Sequence, residues 1–388
     1  MKKLHQALII GGSSGIGLSV AFHLSEICED VIIIDKKEPL AKLKPNMRWE
    51  YQDLLLSDFK WLDSYNDIDV LFYSAGFGRV TKFESLEQKE IDNLFQVNAL
   101  SCFKVLRHYI NRLQSPDPFY CGVMVSIAGR IASPLFSVYS ATKASLFRGI
   151  EAINAELKES GSPNRILEVS PGSLKGTSFS GGKTDPDVNS QLASDIVEAM
   201  LGRETLVIPE YKEVFKSVIS RYNDNPESFA SESYRYKINQ GRLQTKPQLK
   251  VGYLSGTFDL FHIGHLNLIK RAKKYCDYLV VGVHKDASHK GKETFIPFEE
   301  RKEILKSLRY VDDVIESEKE DVDVYKKGIL KYDRLFVGSD YKGSERFNRY
   351  EEYFKDKDVE IIYFPYTDST SSTQIRELVQ QRSSGRKS

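Results

Sequence analysis

The chain has 388 residues, and its 55 Lys and Arg against 54 Asp and Glu give a formal net charge of +1 at pH 7. This length predicts two domains of roughly 150 residues each, with some chain to spare. The balanced charge lacks the global positive field that a nucleic-acid-binding protein needs, so the composition argues against that class.

The cysteine spacing and the absence of long apolar runs indicate the cellular compartment of the protein. The four cysteines, Cys28, Cys102, Cys121 and Cys276, are scattered without the spacing of a zinc site or a disulfide framework. The N-terminus leads directly into a predicted strand, without the apolar core and cleavage site of a signal peptide, and no apolar run reaches membrane-spanning length. We therefore expect a cytoplasmic protein with no membrane partner and no metal held by its own side chains.

A glycine-rich turn near the start of the chain predicts a dinucleotide site. A buried strand over 7–10 is followed by Gly11-Gly-Ser-Ser-Gly-Ile-Gly17 and then by a helix predicted over 18–26. The glycines allow backbone amides to approach a pyrophosphate and allow the helix to pack close to the strand. The predicted coenzyme contacts in this turn are Gly11, Ser13, Ser14, Gly15, Ile16 and Gly17.

A second apolar strand, predicted over 31–35, ends in Asp35, which lies 20 residues after Gly15. A carboxylate at this distance is placed to bind the ribose hydroxyls of the coenzyme. The alternative is an ordinary solvent-facing carboxylate at a strand end. Because Lys36 and Lys37 could accept a 2′-phosphate, Asp35 favours NAD(H) without excluding NADP(H).

A serine, a tyrosine and a lysine further along the chain have the order of a proton-transfer site. Ser126 ends a strand predicted over 123–126, and Tyr139 and Lys143 are four residues apart on one helix face. We expect the lysine ammonium and the nicotinamide ribose to lower the phenol pKa, while Ser126 holds the substrate oxygen. A bare Tyr-x-x-x-Lys pair usually marks a surface helix, but this one follows a glycine turn and a serine-bearing strand.

On these motifs, residues 1 to about 212 resemble the short-chain dehydrogenase/reductase family. The resemblance implies hydride transfer between a nicotinamide coenzyme and a carbonyl or alcohol, with Tyr139 as acid or base and with Lys143 and Asn98 in the proton path. One motif differs, because Tyr73-Ser74 replaces two asparagines of the family pattern. The further coenzyme contacts that the resemblance implies are Asp53, Ala75, Gly76, Pro171 and Gly172. We also expect a homo-oligomer, a dimer or a tetramer.

The rest of the first half predicts a substrate loop and a connection. Residues 173–189 are rich in Gly, Ser and Lys and indicate a mobile loop. Lys175, Lys183 or Arg130 could meet a substrate phosphate, although surface charges of this kind are ordinary. A helix over 194–201, an edge strand over 205–209 and a helix over 211–222 complete a first domain at 1–222. The polar stretch 223–248 is predicted to be a linker.

The second domain, predicted over 249–388, begins with a phosphate-binding pattern. A strand over 251–255 leads into Gly256-Thr-Phe-Asp and then into His262-Ile-Gly-His265 on a helix. Three-residue spacing places both imidazoles on one helix face, and the helix start favours an anionic phosphate. The alternative is a structural or metal-binding histidine pair. Strands predicted over 279–283, near Val311, over 334–338 and over 360–364 alternate with helices.

Residues 249–376 resemble the nucleotidyltransferase family of glycerol-3-phosphate cytidylyltransferase. The resemblance implies catalytic roles for His262 and His265, and Mg²⁺ bound mainly through the CTP phosphates. The CTP contacts that it implies are Gly256, Thr257, Phe258, Lys290, Lys292, Arg309, Asp340, Ser371 and Ser372, with Lys290 and Lys292 in a lid and Arg309 on a helix. Tyr366 stands where the family has an arginine, and Ser369-Thr370 replaces its Gly-Ile. The tail 381–388 is expected to be disordered.

The predicted fold class is α/β, with a Rossmann-type doubly wound parallel sheet followed by a second Rossmann-like nucleotidyltransferase domain. The combination predicts a bifunctional enzyme that reduces a ketose phosphate to a polyol phosphate and then couples it to CMP from CTP. Such fusions resemble enzymes that make CDP-ribitol for bacterial surface polymers, which favours ribulose 5-phosphate as the substrate. One alternative is CDP-glycerol synthesis with an independent reductase. Another is a nicotinamide-sensing scaffold without turnover, against which the intact Ser126, Tyr139 and Lys143 argue.

Overall fold

The computed structural model describes residues 3–174, 186–244, 250–285 and 294–365. The chain divides into two compact units, Met1–Thr245 and Lys246–Ser388. Each unit is built on its own parallel sheet, so the predicted α/β class with two Rossmann-like domains is confirmed. Within the four described ranges, no helix is both long and apolar enough to cross a membrane.

Several sequence predictions concern residues outside these ranges. They are Lys175, Lys183, Lys290, Lys292, Tyr366, Ser369, Thr370, Ser371 and Ser372, together with the tail 381–388. The roles predicted for these residues stay predictions.

A seven-stranded parallel sheet forms the first unit, with strand order β3-β2-β1-β4-β5-β6-β7. The order reverses between β1 and β4, so a crevice opens outside the carboxyl ends of these two strands, which is where ligands bind in open α/β sheets. The strands are β1 (Leu4–Ile10), β2 (Cys28–Asp35), β3 (Met47–Tyr51), β4 (Val70–Tyr73), β5 (Tyr120–Met124), β6 (Ile166–Val169) and β7 (Leu206–Val207).

Helices cover both faces of this sheet. Alternate residues of β1 belong to different apolar clusters, Leu8 and Ile10 to one and Ala7 and Ile9 to the other, because successive strand side chains point to opposite faces. The helices are α1 (Gly15–Ile27), α2 (Gln88–Phe95), α3 (Ser101–His108), α4 (Ile110–Gln114), α5 (Ser137–Glu159), α6 (Ser190–Leu201), α7 (Lys216–Asp224) and α8 (Pro226–Asn239).

Strand β5 starts and ends earlier than the predicted span 123–126. Gly122 interrupts the apolar run and hides the strand start in the sequence. A Cβ built at Gly122 would lie 2.8 Å from the Met200 Sδ, so close packing against α6 accounts for the glycine. Ser126 therefore lies two residues beyond the end of the strand rather than within it.

The predicted linker 223–248 contains α8, which belongs to the first unit. Lys237 on α8 is only 6% exposed, and its ammonium donates to the Ser133 hydroxyl at 2.9 Å and to the Pro134 carbonyl at 2.7 Å. The polar composition of this stretch indicated a connection, but one buried anchor is enough to hold α8 against the rest of the unit. The contact-based division of the chain falls after Thr245.

A five-stranded parallel sheet forms the second unit, with strand order β10-β9-β8-β11-β12. The order again reverses beside the first strand, between β8 and β11, and opens a crevice at their carboxyl ends. The strands are β8 (Val251–Gly256), β9 (Tyr278–Val283), β10 (Asp313–Glu316), β11 (Arg334–Gly338) and β12 (Glu360–Phe364). The helices are α9 (Ile263–Lys273), α10 (Phe298–Lys306), α11 (Asp321–Lys326) and α12 (Glu345–Phe354).

Candidate active sites

The glycine turn after β1 lies directly against the end of β4. Gly11 has a φ of +85°, and a Cβ built there would lie 2.3 Å from the Ala75 backbone nitrogen. A Cβ at Gly17 would lie 2.3 Å from the Ser74 hydroxyl. Glycine is therefore required at both positions. Since α1 begins inside this turn, its first backbone N–H groups and the positive end of its dipole suit an anionic pyrophosphate, and the turn fits a dinucleotide coenzyme.

The residues that replace the two asparagines of the family pattern hold this arrangement together. The Ser74 hydroxyl donates to the Gly11 carbonyl at 2.9 Å, and the Tyr73 hydroxyl donates to the Val97 carbonyl at 2.6 Å. Tyr73 is fully buried, which raises its pKa well above the usual range and keeps it a neutral donor. The altered motif thus still links the glycine turn to β4, and β4 to the segment that carries Asn98.

Asp35 at the end of β2 lies beside the same turn. Its Oδ2 accepts hydrogen bonds from the Ser13 backbone N–H at 3.1 Å and from the Ser13 hydroxyl at 2.7 Å, and its Oδ1 accepts from the Lys37 backbone N–H at 3.1 Å. The side chains of Lys36 and Lys37 are exposed. The carboxylate therefore adjoins the turn, where it can contact the ribose of a dinucleotide bound there.

Four polar residues from three segments meet at the carboxyl edge of the first sheet. Ser126 follows β5, Tyr139 and Lys143 lie on α5, and Asn98 lies in a wide helical turn between α2 and α3. Ser126 and Tyr139 are hydrogen-bonded through their side chains, and the Lys143 ammonium lies 5.8 Å from the Tyr139 ring centroid. A Cβ built at Gly76 would lie 3.4 Å from both the Lys143 Nζ and the Asn98 Oδ1. The structure thus brings the four predicted residues together, with Lys143 and Asn98 beside Gly76.

Buried hydrogen bonds fix these side chains. Asn98 is fully buried; its amide donates to the Phe77 carbonyl at 2.8 Å and to the Thr142 hydroxyl at 3.2 Å, and its Oδ1 accepts from the Phe77 N–H at 2.9 Å. The Lys143 ammonium donates to the Met124 carbonyl at 2.9 Å. Both side chains are therefore oriented by the protein itself, as a preorganised site requires.

Burial controls the protonation of the tyrosine and the lysine. It raises the pKa of Tyr139 to about 12, although the hydrogen bond from Ser126 acts in the opposite direction. It lowers the pKa of Lys143 to about 8. The expectation of a lowered phenol pKa is wrong for the protein by itself, because the loss of hydration outweighs the hydrogen bond from Ser126. At neutral pH the phenol keeps its proton, which is the state needed to protonate a carbonyl.

The loop after β6 completes this edge of the site. The Ser126 Oγ lies 3.5 Å from the Pro171 carbonyl and accepts from the Ala128 N–H at 3.2 Å. A Cβ built at Gly172 would lie 2.3 Å from the Phe215 ring, so Gly172 is closely packed. Pro171 therefore borders the serine and Gly172 follows it, while their place beside the nicotinamide stays a prediction.

Two other predicted residues have structural contacts in the first unit. Asp53 follows β3, and its carboxylate accepts from the Leu55 N–H at 2.9 Å. The guanidinium of Arg130 donates to both carboxylate oxygens of the buried Glu168, at 3.1 and 2.6 Å, and lies over the Phe147 ring. This ion pair differs from the suggested phosphate contact for Arg130, because the guanidinium charge is already balanced.

In the second unit, two stacked imidazoles lie at the start of α9. His262 is the residue before the helix rather than part of it, and its Nδ1 accepts from the Gly264 N–H at 3.1 Å. Its Nε2 is then the protonated nitrogen of the neutral ring and a donor for a ligand. The rings of His262 and His265 lie 4.0 Å apart, and burial lowers the pKa of His262. Helix start and imidazoles together suit an anionic phosphate.

The chain between β8 and α9 has an unusual backbone. Phe258 and Leu260 have φ values of +53° and +50°, which side chains larger than glycine rarely adopt. Phe258 is 3% exposed, and its ring centroid lies 5.3 Å from that of His265. Backbone strain of this kind is found at binding and catalytic sites, where the surrounding packing enforces it.

A buried arginine that the sequence analysis missed connects the loops of this site. Arg301 on α10 is 1% exposed. Its guanidinium donates to four backbone carbonyls, those of Thr257, His284, Lys285 and Ile296. Asp259, also buried, accepts from the backbone N–H groups that precede α10. Each side chain thus ties the loop after β8 to a neighbouring segment.

Replacement of Arg301 by Met is expected to lower the free energy of unfolding of the second unit by about 3 kcal/mol, because buried carbonyls lose their donors. Arg309→Met is the matched control, since Arg309 is exposed, and it should change stability by less than about 0.5 kcal/mol. Both tryptophans, Trp49 and Trp61, lie in the first unit. In urea, Arg301→Met should shift the unfolding of the second unit, followed by circular dichroism, to lower urea concentration. The unfolding of the first unit, followed by tryptophan fluorescence, should not change. Circular dichroism curves that coincide for Arg301→Met and the wild type would contradict the prediction.

The remaining predicted CTP contacts are distributed along the edge of the second sheet. Gly256 ends β8 and Thr257 follows it, while Asp340 is exposed in a short turn after β11. Because β8 and β11 are parallel neighbours, these residues lie at the same edge. Arg309 is not on a helix as predicted, because α10 ends at Lys306; it is exposed in the following turn, 5.2 Å from the Tyr310 ring centroid.

Comparison with known proteins covers both units. The family model "short chain dehydrogenase" matches residues 5–187, and the model "Cytidylyltransferase-like" matches residues 253–378. Glycerol-3-phosphate cytidylyltransferase of Bacillus spizizenii is 40% identical over 127 residues, which are 31% of this chain and 91% of that protein. An uncharacterized oxidoreductase of Saccharomyces cerevisiae is 26% identical over 235 residues, 54% of this chain and 76% of that protein.

Among solved structures, a short chain dehydrogenase from Burkholderia cenocepacia in complex with NADP is 20% identical, with a TM-score of 0.49, over 60% of this chain and 98% of that chain. From the sequence matches and the two sites, the protein is an enzyme with an oxidoreductase unit and a nucleotidyltransferase unit. The N-terminal unit contains a short-chain dehydrogenase domain, and the chain belongs to the cytidylyltransferase family through its C-terminal unit.

Proposed function

We propose that this chain is a bifunctional enzyme of CDP-polyol synthesis. Its first unit reduces a ketose phosphate, for which ribulose 5-phosphate is the best candidate, to a polyol phosphate. Its second unit transfers CMP from CTP to that phosphate, releases pyrophosphate and forms a CDP-polyol such as CDP-ribitol. The observation that carries the proposal is that the Ser126, Tyr139 and Lys143 site and the His262 and His265 site occur in one chain.

The geometry of the first site supports the proposed reduction. The glycine turn and Asp35 would hold a nicotinamide coenzyme, which would supply the hydride. Ser126 donates a hydrogen bond to the carbonyl oxygen of the ketose, and the phenol of Tyr139 gives this oxygen its proton. Lys143 and Asn98, both fixed by buried hydrogen bonds, border the tyrosine and stabilise the charge that develops when the proton leaves.

The transfer of CMP is a displacement at phosphorus. A phosphate oxygen of the polyol phosphate attacks the α-phosphorus of CTP, and the bond to the β-phosphate breaks as pyrophosphate leaves. The N–H groups at the start of α9 and the imidazoles of His262 and His265 stabilise the negative charge on the phosphates. Protein groups therefore act by positioning and by charge, and they form no covalent bond to the substrate.

The proposed product would supply polyol phosphate units for a surface polysaccharide or a teichoic-acid-like polymer. The proposed location is the cytoplasm, where NAD(P)H and CTP are made. Free thiols are consistent with such a reducing compartment. The cysteines Cys28, Cys102, Cys121 and Cys276 are all free in the structure.

Product analysis with the full chain tests the proposal. The protein is incubated with CTP, Mg²⁺, NADH or NADPH and a panel of ketose phosphates, and the nucleotide products are identified by mass. We expect a CDP-polyol that forms only when coenzyme, CTP and the correct ketose phosphate are all present. Reduction without any CDP-linked product, or a CDP-linked product formed only from supplied polyol phosphates, would contradict the coupled reaction.

Synthesis of CDP-glycerol is the second candidate, and one observation favours it. The C-terminal unit is 40% identical to a relative named for glycerol 3-phosphate. The full chain, given CTP without any coenzyme, should use ribitol 5-phosphate in preference to glycerol 3-phosphate if the first proposal is correct. A higher kcat/KM for glycerol 3-phosphate would favour the alternative, with a reductase that acts on another substrate.

Coenzyme choice depends on Asp35. Its carboxylate adjoins Ser13 in the glycine turn, so its charge would repel a 2′-phosphate, whereas Lys36 and Lys37 are exposed and could partly offset that repulsion. We expect both coenzymes to work in the wild type. Asp35→Ala should shift the ratio of kcat/KM for NADPH over NADH upward by about tenfold, the scale of one unit charge near a surface.

The matched control for this prediction is Glu38→Ala, which removes an exposed carboxylate three residues further along the chain. It should leave the coenzyme ratio within about twofold of the wild type, since exposed charges beyond the site are screened. An unchanged ratio in Asp35→Ala would show that Asp35 does not contact the ribose.

A further inference from the structure

The chain from the end of α8 onward contacts three loops at the carboxyl edge of the first sheet. These loops follow β4, β5 and β6, so they surround the crevice that holds Tyr139 and Ser126. The contacts are Lys237 with Ser133 and Pro134, Arg242 with Ser173, and Gln244 with Val80. A segment that the composition indicated as a connection thus forms one border of the reductase site.

Two cations of this segment, Lys237 and Arg242, lie close to the catalytic groups. The Lys237 ammonium is 5.4 Å from the Phe136 ring centroid, and the Phe136 ring is 5.2 Å from that of Tyr139. The Arg242 guanidinium lies 3.2 Å from the hydroxyl of Ser173, which directly follows Pro171 and Gly172. One ring therefore separates Lys237 from the tyrosine, and Arg242 reaches the loop that borders the serine.

The charges around the crevice do not balance. Besides Lys143, four cationic side chains among the described residues border it, and two of them form ion pairs with carboxylates: Arg79 with Glu90, and Arg130 with Glu168. Lys237 and Arg242 form no ion pair with a carboxylate in the part of the chain that the structure describes. A buried ammonium ordinarily has an anionic partner, because an unpaired buried charge is costly.

The surroundings of Lys237 disfavour its charged form and leave one of its ammonium protons for a ligand. Burial, together with the nearby Arg242, lowers the pKa of Lys237 to about 8. Its hydrogen bonds to Ser133 and Pro134 use two of the three ammonium protons. The third proton and the partly exposed Arg242 guanidinium remain for an anion that enters the crevice. A phosphate would offset the repulsion between the two cations and would accept hydrogen bonds from both.

We propose that Lys237 and Arg242 bind the phosphate group of the substrate that the first unit reduces. The phosphate would lie between these cations and the carbonyl beside Tyr139, so the site would select a ketose with a phosphate at the end remote from the carbonyl. This inference rests on the proposed reductase activity and adds to it the group that recognises the substrate. It also gives α8, outside the minimal reductase sheet, a role in substrate choice.

The test compares ribulose 5-phosphate with ribulose in coenzyme oxidation by the full chain. Lys237→Met and Arg242→Gln each remove one charge, and Arg235→Gln removes an exposed charge on α8 as the matched control. We expect Lys237→Met and Arg242→Gln to raise the KM for ribulose 5-phosphate by about tenfold or more, the scale of a charge-assisted hydrogen bond. The kcat/KM for ribulose should stay within about twofold of the wild type in all three variants.

An equal loss on both substrates would overturn the proposal, because it would show that Lys237 only supports the loop of Ser133 and Pro134. Unchanged kinetics in both variants would overturn it as well. If Lys237→Met does not fold, the kinetics of Arg242→Gln test the proposal by themselves. Arg242 is only partly buried, so we expect this variant to fold.

A wild type that reduces neither sugar would refute the proposed function but not the anion site. In that case the full chain is titrated with inorganic phosphate in a calorimeter. A binding heat that Lys237→Met and Arg242→Gln remove, and that Arg235→Gln keeps, supports the site. Identical titrations of all four proteins overturn it.

Discussion

The Tyr139→Phe variant is expected to lose oxidation of NADH and NADPH while it keeps CTP-dependent pyrophosphate release from a supplied polyol phosphate. The phenol is hydrogen-bonded to Ser126, and burial raises its pKa to about 12, so at neutral pH it holds the proton that the proposed reduction requires. Removal of a general acid costs about 10²- to 10⁴-fold in rate. The transferase should be unaffected, because His262 and His265 belong to the other unit.

Both activities are measured on the same preparation, by coenzyme absorbance and by pyrophosphate release. Tyr211→Phe is the matched control, since Tyr211 is a 43% exposed tyrosine of the same unit and should keep both activities. Reduction at the wild-type rate in Tyr139→Phe would remove Tyr139 from the mechanism. Loss of both activities would show that the substitution acts through folding and not through the missing proton.

The fold was accessible from the sequence because both sheets are parallel and buried. Strands of this kind appear as short apolar runs that end in glycine or a polar residue, as in the runs that precede Gly11 and Gly256. Ser126 follows such a strand end, and the spacing of Tyr139 and Lys143 places both on one helix face, so these three residues could be predicted from the sequence pattern. Asn98 was implied by the family resemblance, and the structure places it with the other three. Spacing along the chain carries this information without knowledge of tertiary contacts.

Residues that act through tertiary contacts left no such signal. Lys237 contacts Ser133, which is 104 residues away, and it occurs in a polar helix with no apolar run around it. Arg301 is one of several charged residues at the start of α10, and its carbonyl partners come from loops that converge only in the folded unit. Burial decides the role of both cations, and the sequence around them does not indicate it.

The direction of the Tyr139 pKa shift also could not be predicted from the sequence. The order of Tyr139 and Lys143 indicates that an ammonium lies near the phenol, which alone would lower the pKa. The structure adds the desolvation of both groups, which raises the pKa of the phenol and lowers that of the ammonium. A sequence motif indicates which charged group lies near a titratable side chain. Whether that charge or the desolvation of the side chain determines the pKa depends on how deeply the folded protein buries both groups.

The His265→Ala variant is expected to lose transferase activity by about 10²-fold or more, the scale of one preorganised donor to developing charge. His265 stacks on His262 at 4.0 Å and packs against Phe258, whose positive φ shapes the start of α9. Its loss removes one imidazole from the phosphate site and also leaves His262 without its ring contact. Reduction of the ketose phosphate should stay at the wild-type rate.

Pyrophosphate release with CTP and ribitol 5-phosphate measures the transfer, and coenzyme oxidation on the same sample measures the reduction. His5→Ala is the matched control, because His5 is exposed at the start of β1 and contacts neither site. We expect the kcat for transfer to fall in His265→Ala while kcat for reduction is unchanged, and both to be unchanged in His5→Ala. Full transferase activity in His265→Ala would mean that the stacked imidazoles are structural, and that the helix start with the remaining basic residues stabilises the phosphates by itself.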